Sequence, residues 1–128
     1  MERPLIGWAE VTLDYCDTER AANFWSAVLD LPARTQSQEG WFQLGPTVVG
    51  GPVINIQPVA EEKVGKSRVH LDFWVDDLPS AFGLVERLGG QTLEEHTYGP
   101  WTIRVMADPE GVEFCLVGGP PAGQPGPQ

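Results

Sequence analysis

From Trp8 onward the chain alternates between apolar and polar residues. Val11, Leu13 and Tyr15 fall on one side of an extended segment and Glu10, Thr12 and Asp14 on the other, the period of two expected of a strand with one covered face. The period then lengthens. Ala21, Phe24, Trp25, Val28 and Leu29 recur at helical spacing after Asp17, a residue suited to an N-cap, and Pro32 marks the end of that helix. The helix is expected to cover the Val11–Leu13–Tyr15 face. Residues 41–44 and 53–58 read as further strands, separated by Gly45-Pro46 and Gly50-Gly51-Pro52, so the first half runs strand, helix, then two or three strands.

The second half repeats this order. Val11-Thr12-Leu13-Asp14-Tyr15 returns as Val69-His70-Leu71-Asp72-Phe73, a displacement of 58 residues from Val11 to Val69. A strand over 68–75 leads to a helix over 78–88, whose apolar stripe is Leu78, Ala81, Phe82, Val85 and Leu88 and whose stop is Gly89-Gly90. Strands follow near 91–94, at 102–106 and at 112–117, the last two joined by Asp108-Pro109-Glu110-Gly111, with Pro and Gly where a tight turn wants them. One duplication spanning a small chain points to two modules sharing a core, with any site at their junction.

Composition narrows the functions open to such a chain. Its 128 residues suffice for one domain burying roughly two thirds of its unfolded surface, without a metal or disulfide merely to fold. Eighteen acidic against eight basic residues give a formal net charge of −10, which repels phosphate backbones and anionic lipid, so neither nucleic acid nor a membrane is the expected partner. The opening Met1-Glu2-Arg3-Pro4 does not have the form of a signal segment, and no run reaches the roughly 20 apolar residues of a bilayer span; the expected location is cytoplasmic. Cys16 and Cys115 are accordingly read as thiols. The Gly- and Pro-rich segment 119–128 reads as a disordered tail.

With helices covering one face of each sheet, the opposite faces carry the residues of chemical interest. Parity places Glu10, Thr12, Asp14 and Cys16 on the open side of the first strand and His70, Asp72 and Trp74 on that of its counterpart. Val53, Asn55 and Gln57 share a face, as do Glu113, Cys115 and Val117. An imidazole, a carboxylate, an amide and a thiol drawn from four strands can ligate a metal or orient a small polar molecule. The plainer reading is that His70 is a hydrogen-bonded structural residue, and that Glu10 and Asp72 meet water. Trp74, with Trp41 and Trp101 near strand starts, can wall in a flat ligand or serve equally at an edge or dimer contact. Trp25 belongs to the core, His96 reads as a loop residue, and Cys115, with no flanking Lys or Arg, reads as a small buried hydrophobe.

Three segments together resemble the vicinal oxygen chelate superfamily, the glyoxalase and bleomycin resistance protein fold, and within it the short glyoxalase-like domains. They are Val11-Thr12-Leu13-Asp14 leading into Phe24-Trp25, Arg68-Val69-His70-Leu71-Asp72 leading into Val75-Asp76-Asp77, and Asp108-Pro109-Glu110-Gly111-Val112-Glu113-Phe114-Cys115. The resemblance spans residues 7–117. It implies an α+β fold: one domain over 1–118, made of paired βαβββ modules at 7–58 and 68–117 whose curled sheets form a cup with helices outside, often completed by a homodimer. In metal-using members the ligands, typically His and Glu, come from the first and fourth strands of each module. By position these fall at Glu10 and His70, at Gln57 or Asn55, and at Cys115, with Glu113 two positions off register and nearer the rim.

Measured against that pattern, His70 matches a usual ligand in type and place, whereas Glu10 replaces His, an amide replaces Glu, and Cys115 replaces Glu. A hard octahedral cation wants mostly oxygen donors, while zinc accepts Cys, His and Glu. The first expectation is therefore a small-molecule-binding protein with a degenerate metal site. Gln57, His70, Trp74 and Cys115 contact the ligand, and there is either no cofactor or a divalent metal ion at Glu10 and His70. The alternative is a metal-dependent lyase, isomerase or dioxygenase acting on a small oxygenated substrate, in which Glu10 or Asp72 is the general base.

Overall fold

A computed structural model describes residues 10–46 and 51–119, which divide into two compact units between Glu62 and Lys63. The expected strand start at Trp8, the turn at Gly50 and the tail beyond Gly119 lie outside the described residues.

In the first unit β1 (Glu10–Tyr15) leads into α1 (Thr18–Leu29), followed by β2 (Arg34–Thr35), β3 (Phe42–Leu44) and β4 (Val53–Pro58). The sheet order is β1-β4-β3-β2, with β1 parallel to β4 and the remaining pairs antiparallel. Asp17 caps α1 by accepting a hydrogen bond from the Arg20 backbone N–H at 3.0 Å, as its position in sequence suggested. The helix closes on Asp30 in the left-handed conformation, two residues before Pro32. Buried Trp25 donates its indole N–H to the Tyr15 hydroxyl at 2.9 Å, tying α1 to the apolar side of β1 and leaving Glu10, Thr12 and Asp14 exposed. Ala21, Phe24, Leu44, Ile54 and Ile56 complete this core.

The second unit repeats the arrangement: β5 (Leu71–Trp74), α2 (Leu78–Arg87), β6 (Gln91–Tyr98), β7 (Trp101–Ala107) and β8 (Glu113–Gly118), in the order β5-β8-β7-β6. Two mixed four-stranded sheets with the same strand order, each carrying one helix, make the chain α+β and bear out the duplication read from its sequence. Phe73 and Phe114 pack edge to face at 6.1 Å, and the Arg104 guanidinium lies 3.6 Å from the centre of the Phe82 ring on α2. Gly90 lets the end of α2 approach β7, since a Cβ there would stand 2.7 Å from the Ala107 carbonyl oxygen.

The turn from β7 to β8 is built as its residues imply. The Gly111 N–H bonds the Asp108 carbonyl at 2.8 Å with Gly111 at φ +88°, and the buried Asp108 carboxylate accepts from the N–H groups of Glu110 and Val112. Two segments differ from expectation. β5 begins at Leu71 rather than Arg68, leaving His70 just ahead of it, and β6 continues to Tyr98, so His96 lies on a strand rather than in a loop. β6 is exposed along nearly its whole length, so it carries no alternation of apolar residues; a register shift between Thr92 and Glu94 and the Gly99-Pro100 turn keep it paired with β7 up to Tyr98 and Trp101.

Candidate functional site

The face of the second sheet opposite α2 gathers most of the candidates. Asp72 is registered directly against Cys115 in the parallel β5–β8 pair, and His70, just ahead of β5, turns its ring toward both. His70 Nδ1 stands 3.2 Å from Asp72 Oδ1 and 3.9 Å from Cys115 Sγ, and the three donor atoms all lie within 4.8 Å of one another. His70 and Asp72 are exposed, while Cys115 is 6% exposed. Burial, then the Asp72 charge and hydrogen bond, push the thiol up to about 11, against a smaller opposing influence of Lys66. Cys115 is thus a protonated thiol at neutral pH, as buried as its hydrophobic neighbours but part of a polar cluster.

One row along, Trp74 is registered against Val117, and Val117 against Ile103. Trp74 remains 48% exposed and meets Trp101 edge to face at 5.1 Å. Beside them in the β7–β8 register stand buried Val117 and half-buried Ile103 and Val105. On β6, His96 Nε2 lies 2.8 Å from Glu94 Oε2 and its ring is 6.4 Å from that of Tyr98, all on exposed strand.

Glu113, next along β8 on the same side, is committed elsewhere. Its carboxylate lies 2.9 Å from Lys63 Nζ and accepts the Ser67 backbone N–H at 3.0 Å. Burial raises this carboxyl, but hydrogen bonds from Ser67 and Lys63 outweigh it and hold the group at about 2. It fastens the segment before β5 to β8. Parity identified its side of the sheet, but nothing local in sequence identifies partners so distant along the chain.

The open face of the first sheet holds the remaining candidates in a hydrogen-bonded row. Arg34 donates to Gln43 Oε1 at 3.3 Å and to the Gly45 carbonyl at 3.0 Å, Gln43 donates to Asn55 Oδ1 at 3.0 Å, and Asn55 donates to Glu10 Oε2 at 2.9 Å. Asn55 Nδ2 also lies 3.4 Å from the Thr12 hydroxyl. A cation at one end and a carboxylate at the other fix both amides in one direction. Of the two fourth-strand residues, Asn55 is therefore the one bonded to Glu10, whereas Gln57 lies one pleat further on, registered against Asp14.

These donors do not suit a hard cation. The second-unit cluster offers one carboxylate, one imidazole and one protonated thiol, and Glu10 already accepts the Asn55 amide. Octahedral oxygen coordination needs more oxygen than this.

A family model described as a glyoxalase-like domain matches residues 10–117. No curated protein matches the chain in sequence. Among solved structures, the fosfomycin resistance protein FosX from Mesorhizobium loti is similar over 91% of this chain and 95% of its own, with a TM-score of 0.69 and 19% identity. A glyoxalase/bleomycin resistance protein/dioxygenase family enzyme from Burkholderia phytofirmans is similar over 87% and 97%, with a TM-score of 0.72 and 16% identity. A mutant FosX from Listeria monocytogenes, complexed with Mn(II) and dihydroxypropylphosphonic acid, is similar over 88% and 90%, with a TM-score of 0.71 and 15% identity. At these identities the likeness is one of fold.

Proposed function

This chain belongs to the glyoxalase-like domain family of the vicinal oxygen chelate superfamily, and we propose that it binds a small compound on the open face of its second sheet. The compound has a flat apolar body and at least one hydrogen-bonding group. The observation that carries the reading is the exposed Trp74, edge-on to Trp101, on the same face as His70 and Asp72. An aromatic wall beside a few convergent polar groups is the usual make-up of a small-molecule site. His70, Trp74 and Cys115 contact the ligand in this reading.

Mn(II) and the phosphonate belong to the FosX neighbour. They are not carried over to this chain, in which Glu10, an amide and Cys115 stand where the family resemblance expects His, Glu and Glu. The reading places the protein in the cytoplasm, in keeping with its two thiols, and makes it a homodimer, as the family resemblance implies.

Thermal-shift titrations with planar aromatic compounds, indole and benzamidine among them, and tryptophan-fluorescence titrations with those that do not themselves emit, test the proposal. A binder should lose about tenfold or more in affinity in Trp74→Ala and in His70→Ala. Equal binding by both variants would place the site elsewhere. A second reading, a metal-dependent lyase, isomerase or dioxygenase with Asp72 or Glu10 as base, is favoured by the nitrogen, oxygen and sulfur donors clustered at His70, Asp72 and Cys115.

A further inference from the structure

We infer that Asp72 holds the proton of the neutral His70 ring on Nδ1, so that the binding face offers its compound a hydrogen-bond acceptor at Nε2 and selects flat molecules that bring an N–H or O–H donor. The inference rests on the small-molecule reading of this face and deepens it, because it makes the compound's required polar group a donor. Asp72 is a positioning residue in this scheme and acts on the ligand through His70.

A neutral imidazole carries one N–H and one bare nitrogen, and the groups around the two nitrogens decide which is which. A carboxylate only accepts. Asp72 Oδ1 stands 3.2 Å from His70 Nδ1, so a proton on Nδ1 is attracted and a lone pair there is repelled. Cys115 Sγ is the other neighbour of Nδ1, at 3.9 Å, and a thiol that gave its hydrogen to Nδ1 would reverse the ring. Asp72 competes for that hydrogen as a charged acceptor, the stronger kind. After burial, its charge and its hydrogen bond with the thiol are what keep Cys115 protonated. The carboxylate therefore draws both hydrogens, the one on the ring and the one on sulfur.

Nε2 is left bare and within reach. The His70 side chain is 44% exposed, and among the described residues none bonds its Nε2. Trp74 lies two residues beyond Asp72 on β5, hence on the same side of the sheet, and is itself exposed. A flat compound lying against Trp74 with its edge toward His70 meets an acceptor there, and a compound without a donor leaves that acceptor unpaired. A ring oxygen, a carboxylate or a phosphonate brings only lone pairs, and the two anions also meet the Asp72 charge. Lys66 acts in the opposite sense, but its influence on Cys115 ranks below that of Asp72.

Nitrogen-15 NMR and titration calorimetry of the full chain test the inference. The chain has two histidines, His70 and His96, so His96→Asn leaves a single ring in the spectrum. Long-range proton–nitrogen correlations at about pH 8 should show that ring protonated on Nδ1 and bare at Nε2. Asp72→Ala, at an exposed position, should turn it into a mixture of the two forms or into the reverse one. Indole and benzofuran share one shape, with an N–H in the first where the second has an oxygen. Indole should bind about tenfold or more tightly than benzofuran. His96→Asn should keep that ratio, and His70→Ala and Asp72→Ala should bring it close to unity. Benzoate, flat and anionic, should bind more weakly than indole. The inference is overturned by a proton on Nε2 or on both ring nitrogens, by a ring form unchanged in Asp72→Ala, by a ratio that survives either site substitution, or by benzoate binding more tightly than indole. Equal binding of indole and benzofuran overturns the donor selection and leaves the small-molecule reading standing; binding by none of the aromatic compounds overturns that reading and the inference with it.

Discussion

Glu113→Gln tests whether the carboxylate clamp at the entry to the second unit stabilises the fold. Folding holds this carboxyl at about 2 against an ordinary 4.5, a difference worth about 3 kcal/mol if fully realised. Glu113 is 12% exposed and its partner Lys63 24%, so solvent screening reduces the net contribution to about 1–2 kcal/mol. Because the folded value lies below the unfolded one, the contribution is complete above about pH 4.5 and disappears as pH falls towards 2. Urea unfolding followed by circular dichroism should show the variant less stable by that amount at pH 7 and within about 0.5 kcal/mol of the parent near pH 2. Groups common to both chains cancel in the difference. A gap that stays constant from pH 7 to 2, or one under about 0.5 kcal/mol at pH 7, would show that the clamp contributes nothing by its charge.

Other outcomes follow from the same geometry. Gly90→Ala places a methyl group 2.7 Å from the Ala107 carbonyl oxygen and 2.6 Å from Val85 Cγ1; it should cost about 1–3 kcal/mol, and an unchanged melting temperature would contradict the close approach of α2 to β7. In metal-stripped protein, iodoacetamide should label exposed Cys16 first. Cys115, held at about 11, should react slowly at pH 8, its rate rising about tenfold per pH unit between 7 and 9. Mass spectrometry of the labelled peptides reads both sites, and fast, pH-independent labelling of Cys115 would refute its burial beside Asp72.

The fold was legible where the residues alternate cleanly. Val11, Leu13 and Tyr15 against Glu10, Thr12 and Asp14 fixed β1 and its covered face, Asp17 fixed the start of α1, and Asp108 to Gly111 fixed the last turn, because each depends on neighbours a few residues away. β2 is two residues long and β6 is exposed on both sides, so neither leaves a periodic trace. The candidate site was legible as a side rather than as a constellation. Parity put His70, Asp72, Trp74 and Cys115 on open faces, but it carries no distances between strands. The approach of Asp72 and Cys115 to His70 comes from the β5–β8 register, which no local pattern encodes. The Arg34–Gln43–Asn55–Glu10 row depends in the same way on the pairing of β1, β4, β3 and β2.

Fluorine resonances of 5-fluorotryptophan-labelled protein test the assignment of the binding face most directly. Trp74 and Trp101 form one aromatic pair on that face, whereas Trp25 is buried against Tyr15. Adding a heteroaromatic compound that raises the melting temperature should move the Trp74 and Trp101 signals together and leave Trp25 in place. A stabilising compound that moves other tryptophan signals and leaves those two unchanged would contradict the account.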